Sequence, residues 1–420
     1  MTARMRVAVV ACVSGLVLAG CSSTPAPAPV ASRSIAGSGS VAALTMIDAV
    51  SGWGYGAHRV VRTGDGGRTF IDVTPPAVGG DRVIRSHDFL DARHAWVLVG
   101  SVAVNAPETL EATGDGGVTW RQFATPASRG GDIPEFVDST HGWLIGGTLL
   151  QDCSTPGAAC GPPTARQTTL ERTVDGGATW SLAYQTLQHV ISDPLVTVQL
   201  SAGMHISLQA PTDCGWQGLP DFPSVEVGFV GLSCPGAVHP LMAATADGGT
   251  SWRRIVLPDP PGGPGNVIFT SVGRVHFSSA RVGLAVVSQC IGEGGACTPT
   301  GAMVKTSDGG VSWSVGTEVH SLGLDMESVD ASHAWLVDGW LTDPAIPSLL
   351  STADSGATWN TYPLPRFLTL SGTGSRAFRL VTPTLGFAEI WASTETQPSF
   401  YRTDDGGLTF TPFSPQFPSD

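Results

Sequence analysis

The chain has 420 residues, including 53 glycines and 31 prolines, and only 14% of its residues are charged. Its formal net charge at pH 7 is −13, from 35 acidic and 22 basic side chains. This balance argues against a nucleic-acid partner and against adhesion to anionic lipid by charge alone, because both require a basic surface.

Residues 1–20 have the pattern of a signal peptide. Arg4 and Arg6 precede an apolar run that ends at Leu18 and is too short to span a membrane permanently. The run leads into Leu-Ala-Gly-Cys, which ends at Cys21 and resembles a bacterial lipobox. The resemblance implies cleavage before Cys21, acylation of its sulfur and a lipid anchor at the cell envelope. The alternative is an ordinary secretory signal followed by a chance cysteine.

Residues 21–40 are rich in Pro, Ala, Ser and Gly, as in "SSTPAPAPVASRS". Such a composition is typical of an extended tether and not of a packed domain. We expect one folded domain over residues 41–420, held away from the membrane surface by this lipid-anchored segment.

From residue 41 onward, one motif occurs seven times: Thr-x-Asp-x-Gly-x-Ser/Thr followed by Trp or Phe, as in "TVDGGATW" at Thr173. We call each copy an aspartate turn. Successive acids are 46 to 72 residues apart, and the segments between them carry short Val-, Leu- and Thr-rich runs without helical periodicity. This pattern is typical of β-propeller blades. The seven acids are Asp65, Asp115, Asp175, Asp247, Asp308, Asp354 and Asp405.

The residue types of the aspartate turn are those of a self-satisfied turn, because a carboxylate and a hydroxyl can both accept nearby amides. An acid repeated around a ring cannot form seven active sites, so we assign these residues a structural role. The second glycine occurs in every copy, whereas Ser355 replaces the first glycine in the sixth copy. This difference predicts a positive φ at the second position only.

A second motif, Asp-x-x-His-Ala/Gly-Trp, precedes three of the aspartate turns and ends at Trp96, Trp143 and Trp335. Its histidines are predicted to cap tight turns in separate blades, and neither a metal nor another cofactor is expected. Weaker copies of this motif occur in the other repeats, so each repeat is predicted to form four strands. The predicted fold is therefore an all-β, seven-bladed β-propeller of four-stranded antiparallel blades, with one aspartate turn per blade.

Six further cysteines fall into three local pairs, which favours disulfides and an oxidising compartment over a metal site. The predicted bridges are Cys153–Cys160, Cys214–Cys234 and Cys290–Cys297.

Repeat length varies most between the second and third strands and between blades, and both kinds of connection emerge on one face of an antiparallel propeller. Elaborated loops on a regular scaffold commonly carry binding. Three tryptophans have no place in the repeat and are candidate contact residues for a protein or a sugar, the alternative being packing beneath a loop. They are Trp216, Trp340 and Trp391.

The seven aspartate turns resemble the Asp-box, or BNR, repeats of bacterial sialidases, over about residues 41–415. Asp boxes are not catalytic in that family. A sialidase would also need three arginines, a tyrosine nucleophile with a glutamate partner and an acid/base, and the Arg-Ile-Pro motif is absent. No catalytic set can be assigned, although three arginines lie near predicted inner strands: Arg85, Arg274 and Arg379.

The pairing of a Gly-Trp turn with an aspartate turn in each of seven blades is also similar to exported propellers related to the photosystem II assembly factor. Those proteins bind membrane-protein partners and are not enzymes. The expected function is therefore a monomeric, membrane-anchored, extracytoplasmic binding or assembly propeller that recognises a protein partner through its loops. The alternative is a glycoside hydrolase, sialidase-like, or a carbohydrate-binding propeller with a glycan ligand.

Overall fold

The structure is a computed structural model that describes residues 41–418 apart from short internal segments. Those segments are residues 103–107, 127–131, 152–162, 200–204, 212–213, 263–266, 294–295, 320–325, 339–347, 365–374 and 392–397. The predicted signal peptide, the tether with Cys21, the Cys153–Cys160 pair and Trp340 therefore lie outside the described residues. Within the described part, every regular element is a β-strand, and no helix there could cross a membrane.

Seven antiparallel blades follow one another along the chain, each with its four strands in sequence order. Blade 1 comprises β1 (Ala43–Met46), β2 (Gly52–Gly56), β3 (Arg59–Thr63) and β4 (Ile71–Asp72), and blade 2 comprises β5 (Arg82–Phe89), β6 (Ala95–Ser101), β7 (Thr109–Thr113) and β8 (Arg121–Ala124). Blade 3 comprises β9 (Ile133–Phe136), β10 (Gly142–Gln151), β11 (Pro163–Thr173) and β12 (Ser181–Gln199), and an extra strand, β13 (His205–Pro211), follows it. Blade 4 comprises β14 (Gly215–Asp221), β15 (Gly228–Ser233), β16 (Leu241–Thr245) and β17 (Arg253–Val256). Blade 5 comprises β18 (Val267–Phe277), β19 (Gly283–Glu293), β20 (Ala296–Thr306) and β21 (Ser314–Val319). Blade 6 comprises β22 (Met326–Ser328), β23 (Ala334–Asp338), β24 (Ser348–Thr352) and β25 (Asn360–Pro363). Blade 7 comprises β26 (Ser375–Leu380), β27 (Gly386–Trp391), β28 (Ser399–Thr403) and β29 (Thr411–Phe413).

The core of the protein lies between the blades. Each neighbouring pair of blades, including the seventh and the first, shares a buried apolar cluster. The first strands of blades 2 and 3, and those of blades 4 to 7 in succession, touch one another, so the first strands form the inner wall of the ring. The predicted seven-bladed β-propeller is confirmed.

Aromatic rings fill the gaps between blades. Trp143 is fully buried, stacks on Phe222 of the next blade at 3.6 Å and donates its Nε1–H to the Gly248 carbonyl at 2.9 Å. Trp96 stacks in the same way on Phe136 at 3.7 Å. The two blades share this geometry. It explains why a large ring follows the tight turn in these repeats, because the ring links one blade to the next.

Both kinds of turn lie on one face of the ring, which we call the turn face. In every blade the amide at the first glycine position of the aspartate turn donates to a carbonyl of the preceding strand 1–2 turn, as Gly176 does to Thr140 at 2.8 Å. The opposite face, which we call the loop face, carries the strand 2–3 connections and the connections between blades.

Strands of blades 3 and 5 extend beyond the regular blade height on the loop face. β12 is 19 residues long, and its distal part pairs with β13. Among the described residues, a parallel bridge between Gln199 and Ala296 joins β12 to β20, so this extension crosses blade 4. The repeat pattern does not indicate this extension, because it carries no information about pairing between non-adjacent blades.

The disulfide prediction is borne out for the one bridge whose cysteines are both described. Cys214 and Cys234 are bonded across the loop-face ends of β14 and β15. Cys290 is also disulfide-bonded, but the side chain of Cys297, its predicted partner, lies outside the described residues. A disulfide indicates an oxidising, extracytoplasmic environment.

The ring closes without exchange of a strand between the first and last blades. After β29, the Gln416 backbone pairs with blade 1: its N–H donates to the Arg68 carbonyl at 2.9 Å, and its carbonyl accepts the Phe70 N–H at 3.0 Å. Phe417 then packs against Phe70 and Phe400. The C-terminal segment therefore acts as a strap over the seam between blades 7 and 1.

Candidate functional site

The aspartate turns hold their carboxylates with hydrogen bonds from within the turn. In the third copy, Asp175 Oδ1 accepts the Thr173 hydroxyl at 2.8 Å and the Thr179 amide at 2.8 Å. Its Oδ2 accepts the Thr179 hydroxyl at 2.6 Å. The same three bonds recur in all seven copies.

These bonds hold the acids in the charged form. The hydroxyl of the Ser or Thr four residues on, and then the amide of that residue, lower the pKa of five of the carboxyls to about 2. An acid with such a pKa is a poor proton donor at neutral pH. The five are Asp65, Asp115, Asp247, Asp308 and Asp354.

The expectation that only the second glycine position has a positive φ is wrong. Ser355 itself has φ +62°, and the first glycine has a similar φ in the other copies. The backbone at the first position adopts the left-handed conformation, in which its amide can donate to a carbonyl of the strand 1–2 turn. The Ser355 amide donates to the Ser332 carbonyl in this way. Serine is accommodated there because its hydroxyl donates to the Ala331 carbonyl at 2.5 Å.

The three motif histidines interact with their own turns. His94 Nδ1 lies 2.9 Å from Asp91 Oδ2, and Asp91 Oδ1 also accepts two turn amides. His141 with Asp138 and His333 with Asp330 repeat this geometry. Each imidazole therefore caps one turn. A groove of about 400 Å³ lies between the turns of blades 2 and 3. It is lined by His94 and by turn acids whose carboxylate oxygens already accept hydrogen bonds within their own turns.

Several acids at the inner wall link one blade to the next. In each inner strand, the residue paired with the aromatic residue of the strand 1–2 turn, or with Leu284 in blade 5, occupies an equivalent position, which we call the ring position. Asp88 accepts the Phe136 amide of the next blade at 2.5 Å. Glu135 and Asp221 accept the corresponding amides of the following blades at 3.2 and 2.9 Å. These carboxylates are committed to blade contacts. The seven ring positions are Thr45, Asp88, Glu135, Asp221, His276, Glu327 and Arg379.

Polar side chains break the apolar pattern of the repeat where blades 7, 1 and 2 meet. Tyr55 and Glu389 lie two residues after the turn aromatic, where the other five blades have Leu98, Ile145, Gly231, Val286 and Val337. His87 precedes the ring position, where every other blade has an apolar residue. We call Thr45, Tyr55, His87, Arg379 and Glu389 the inner cluster.

Contacts within the inner cluster cross both blade seams. The Tyr55 and His87 rings lie 4.0 Å apart between blades 1 and 2. Glu389 of blade 7 accepts the Leu44 amide of blade 1 at 2.5 Å. Among the described residues, Nε and Nη1 of Arg379, both ring nitrogens of His87 and the Thr45 hydroxyl have no hydrogen-bond partner.

Burial dominates the electrostatics of this cluster. It raises the pKa of Glu389 to about 7, against the opposing effects of the Arg379 charge and the Leu44 amide. Burial, assisted by the Arg379 charge, lowers the pKa of His87 to about 3. Burial, assisted by the Glu389 charge and opposed by Arg379, raises the pKa of the Tyr55 hydroxyl. At neutral pH the tyrosine and the histidine are therefore neutral, Arg379 is charged and Glu389 is partly ionised.

The candidate contact tryptophans that are described are partly buried against protein. Trp216 stacks on Tyr184 with ring centroids 5.6 Å apart and meets Trp252 edge to face, beside the Cys214–Cys234 bridge. Trp391 donates its Nε1–H to the Ala42 carbonyl at 3.2 Å, across the closing seam. A role of either residue in binding stays a prediction.

The three arginines singled out from the sequence differ in their surroundings. Arg85 is exposed, with its Nε 3.8 Å from Glu108 Oε1. The Arg274 side chain lies outside the described residues. Arg379 is 7% exposed and belongs to the inner cluster. Sequence reasoning missed His87 and Glu389, which an alignment of the repeats on the turn aromatic would have exposed as polar residues at apolar positions.

These features define a closed seven-bladed propeller with a regular turn face, an elaborated loop face and one polar cluster at its closing seam. No protein-family model and no curated protein match the chain. Among solved structures it is similar to an ulvan lyase of polysaccharide lyase family PL25, with a TM-score of 0.43 and 8% identity, over 77% of this chain and 82% of that one.

A GH93 α-L-arabinofuranosidase of Fusarium graminearum is also similar, with a TM-score of 0.41 and 10% identity, over 76% of this chain and 92% of that one. A Hadza microbial sialidase has a TM-score of 0.34 and 12% identity, over 84% of this chain and 73% of that one. At these scores the likenesses carry no argument about what this chain does.

Proposed function

We propose that the protein is a membrane-anchored, extracytoplasmic binding or assembly propeller that recognises a protein partner through its loop face. The observation that carries the proposal is the extension of blades 3 and 5 on that face, where β12 pairs with β13 and bridges to β20 over blade 4. Nothing in the packing of the ring requires this extension, since among the described residues blades 1, 2, 6 and 7 form their four-stranded sheets without one.

A strand-built platform suits recognition better than a set of independent loops. Its backbone is already ordered by ladder hydrogen bonds, and the Cys214–Cys234 bridge ties down the adjacent connection. A surface ordered in advance loses less conformational entropy on association, so more of the contact energy appears as affinity.

The partner is tested by crosslinking the full chain in its own membranes and identifying the captured proteins. In one variant a short Gly-Ser linker replaces residues 190–211, which keeps the pairing of β12 with β11 up to His189. The matched control carries Val118→Lys and Val311→Lys, two exposed positions on the turn face. We expect a stoichiometric partner that the linker variant loses and the control retains. Equal capture by all three proteins would contradict the proposal.

The lipid anchor is tested separately at Cys21, the cysteine of the Leu-Ala-Gly-Cys motif. Cys21→Ser removes the acylated sulfur, so we expect the protein to move from the membrane fraction to the soluble extracytoplasmic fraction. Ser22→Ala, at the adjacent position, is the control and should leave the protein with the membrane. A Cys21→Ser protein that still sediments with membranes would rule out this anchor.

A second candidate function, a glycoside hydrolase or a carbohydrate-binding propeller, is favoured by the inner cluster. The pKa of Glu389, raised to about 7 by burial, suits a general acid. The raised pKa of Tyr55 argues against a tyrosine nucleophile, which needs its phenolate. Hydrolysis of a glycan panel by the wild type but not by Glu389→Gln would support this candidate. Equal activity of both proteins would exclude Glu389 as the acid.

A further inference from the structure

Arg379 is a buried cation whose hydrogen-bonding capacity is only partly used among the described residues. Its side chain belongs to the inner strand of blade 7 and is 7% exposed. The guanidinium atoms Nε and Nη1 have no partner among the described residues. A desolvated charge is costly unless it is paired and hydrogen-bonded. Glu389 interacts with Arg379 by charge, but its own burial raises its pKa to about 7, so below neutral pH the guanidinium calls for another counter-ion.

The neighbours of Arg379 in the inner cluster are rich in donors. His87 is 3% exposed, and neither of its ring nitrogens has a partner among the described residues. Thr45 occupies the ring position of the adjacent blade, and its fully buried hydroxyl is likewise unsatisfied. Guanidinium, imidazole and hydroxyl groups can all donate, whereas Glu389, the one carboxyl of the cluster, already accepts the Leu44 amide.

We propose that the inner cluster binds one small monovalent anion, held by the Arg379 guanidinium with donors from His87 and Thr45. The chemistry fits a free halide or the carboxylate group of a larger ligand that enters along the ring axis. Because the donors belong to blades 7, 1 and 2, the anion links the two ends of the chain where the ring closes. This site is separate from the loop face and does not depend on the partner proposed there.

Binding is expected to strengthen as the pH falls through about 7. The groups that face Glu389 are Arg379 on β26, Tyr55 on β2 and the Leu44 amide on β1, with His87 on β5 beyond Tyr55. The pKa of His87 is about 3 and that of Tyr55 is raised, so neither changes charge near neutrality. Protonation of Glu389, whose pKa is about 7, removes a negative charge that repels an anion.

The test combines thermal melting with crystallography of the folded protein. Sodium bromide or sodium acetate is titrated at constant ionic strength, and crystals grown in bromide are measured at the bromine absorption edge. We expect Tm to rise by roughly 2 °C for each tenfold increase in anion above its Kd. Arg379→Gln should abolish the rise. Arg85→Gln, which removes the exposed inner-strand arginine, should retain it.

An anomalous bromide peak beside Arg379 would establish a free-ion site. A saturable effect of acetate without a bromide peak would establish a site for a carboxylate group. Tm curves that are the same for wild type and Arg379→Gln, with no anion density beside Arg379, would overturn the proposal. If Arg379→Gln fails to fold, Arg379→Lys replaces it in the melting series, and the wild-type crystals grown in bromide, with a second set grown in acetate, show whether an anion lies beside Arg379.

Discussion

At the scale of single residues, the repeat is maintained by hydrogen bonds that close within a few positions. A carboxylate such as Asp405 collects the hydroxyls of Thr403 and Thr409 and the Thr409 amide. The bonds span at most four residues, so a short motif is enough to specify them. This locality is why the aspartate turns could be interpreted from the sequence as corners of the fold.

Acid should weaken the fold through these turns. Their carboxyls have a lower pKa in the folded state than in the unfolded chain, about 2 for Asp308 against about 3.9 unfolded. The stabilisation is therefore complete above about pH 4 and is lost as the pH falls towards 2. We expect Asp405→Asn to lower Tm at pH 7, and this deficit to shrink below pH 4.

The neighbouring acid in the same turn supplies the control for that melting experiment. Asp404 takes no part in the turn bonds and pairs with Arg402 at the surface at 2.6 Å. Asp404→Asn should therefore leave Tm nearly unchanged at pH 7. Equal effects of the two substitutions would show that the turn bonds are not what stabilises this corner.

The left-handed backbone at the first glycine position allows a finer prediction. Gly309 has φ +76°, and a Cβ there would lie 3.1 Å from the Ala280 carbonyl oxygen. Gly309→Ala should destabilise the protein by about 1–2 kcal/mol. Gly309→Ser should cost less, because its hydroxyl can donate to Ala280 as Ser355 donates to Ala331. Urea unfolding measures both, and a serine variant as unstable as the alanine variant would contradict this explanation.

At the scale of elements, each blade is held by its neighbours more than by itself. The turn aromatic of one blade stacks on the inner-strand aromatic of the next, and an inner acid such as Asp88 accepts an amide across the same seam. A four-stranded sheet exposes two apolar faces, and it can bury both only between two other blades. The repeat is therefore a unit of sequence, while the unit of stability is the pair of adjacent blades.

Trp143 tests the contribution of one such seam. Trp143→Ala removes a fully buried ring, and we expect a loss of about 3–5 kcal/mol of unfolding free energy. Trp143→Phe keeps a ring against Phe222 but loses the bond to the Gly248 carbonyl, which should cost less, about 1–2 kcal/mol. Urea denaturation with Val118→Ala as the exposed control checks this order. A phenylalanine variant as unstable as the alanine variant would assign the effect to the hydrogen bond.

At the scale of the whole molecule, the ring is closed by contacts between its two ends. The Leu44 amide meets Glu389 across a separation of 345 residues, and Phe417 packs on Phe70 beyond the last strand. Such long-range contacts form only once all seven blades are in place, because ordering the intervening chain costs entropy that earlier contacts must offset. The inner cluster lies at this seam, so its geometry depends on completion of the ring.

The C-terminal strap should contribute measurably to closure. Phe417→Ala removes a partly buried ring, and we expect a cost of about 1–3 kcal/mol together with faster hydrogen exchange in blade 1 around Phe70. Gln416→Ala is the matched control, because the bonds of Gln416 to blade 1 are made by its backbone. Exchange in blade 1 that is unaffected by Phe417→Ala would mean that the seam is closed by blade packing alone.

The sequence by itself determined the number of blades, their four-stranded antiparallel form, the chemistry of their turns and the Cys214–Cys234 bridge. These features depend on short-range patterns repeated along the chain, which a single sequence displays. Tertiary structure decided the strap at Gln416, the bridge from β12 to β20 and the meeting of His87, Arg379 and Glu389. Those contacts join segments far apart in sequence, and no local pattern encodes which distant residues a closed ring brings together.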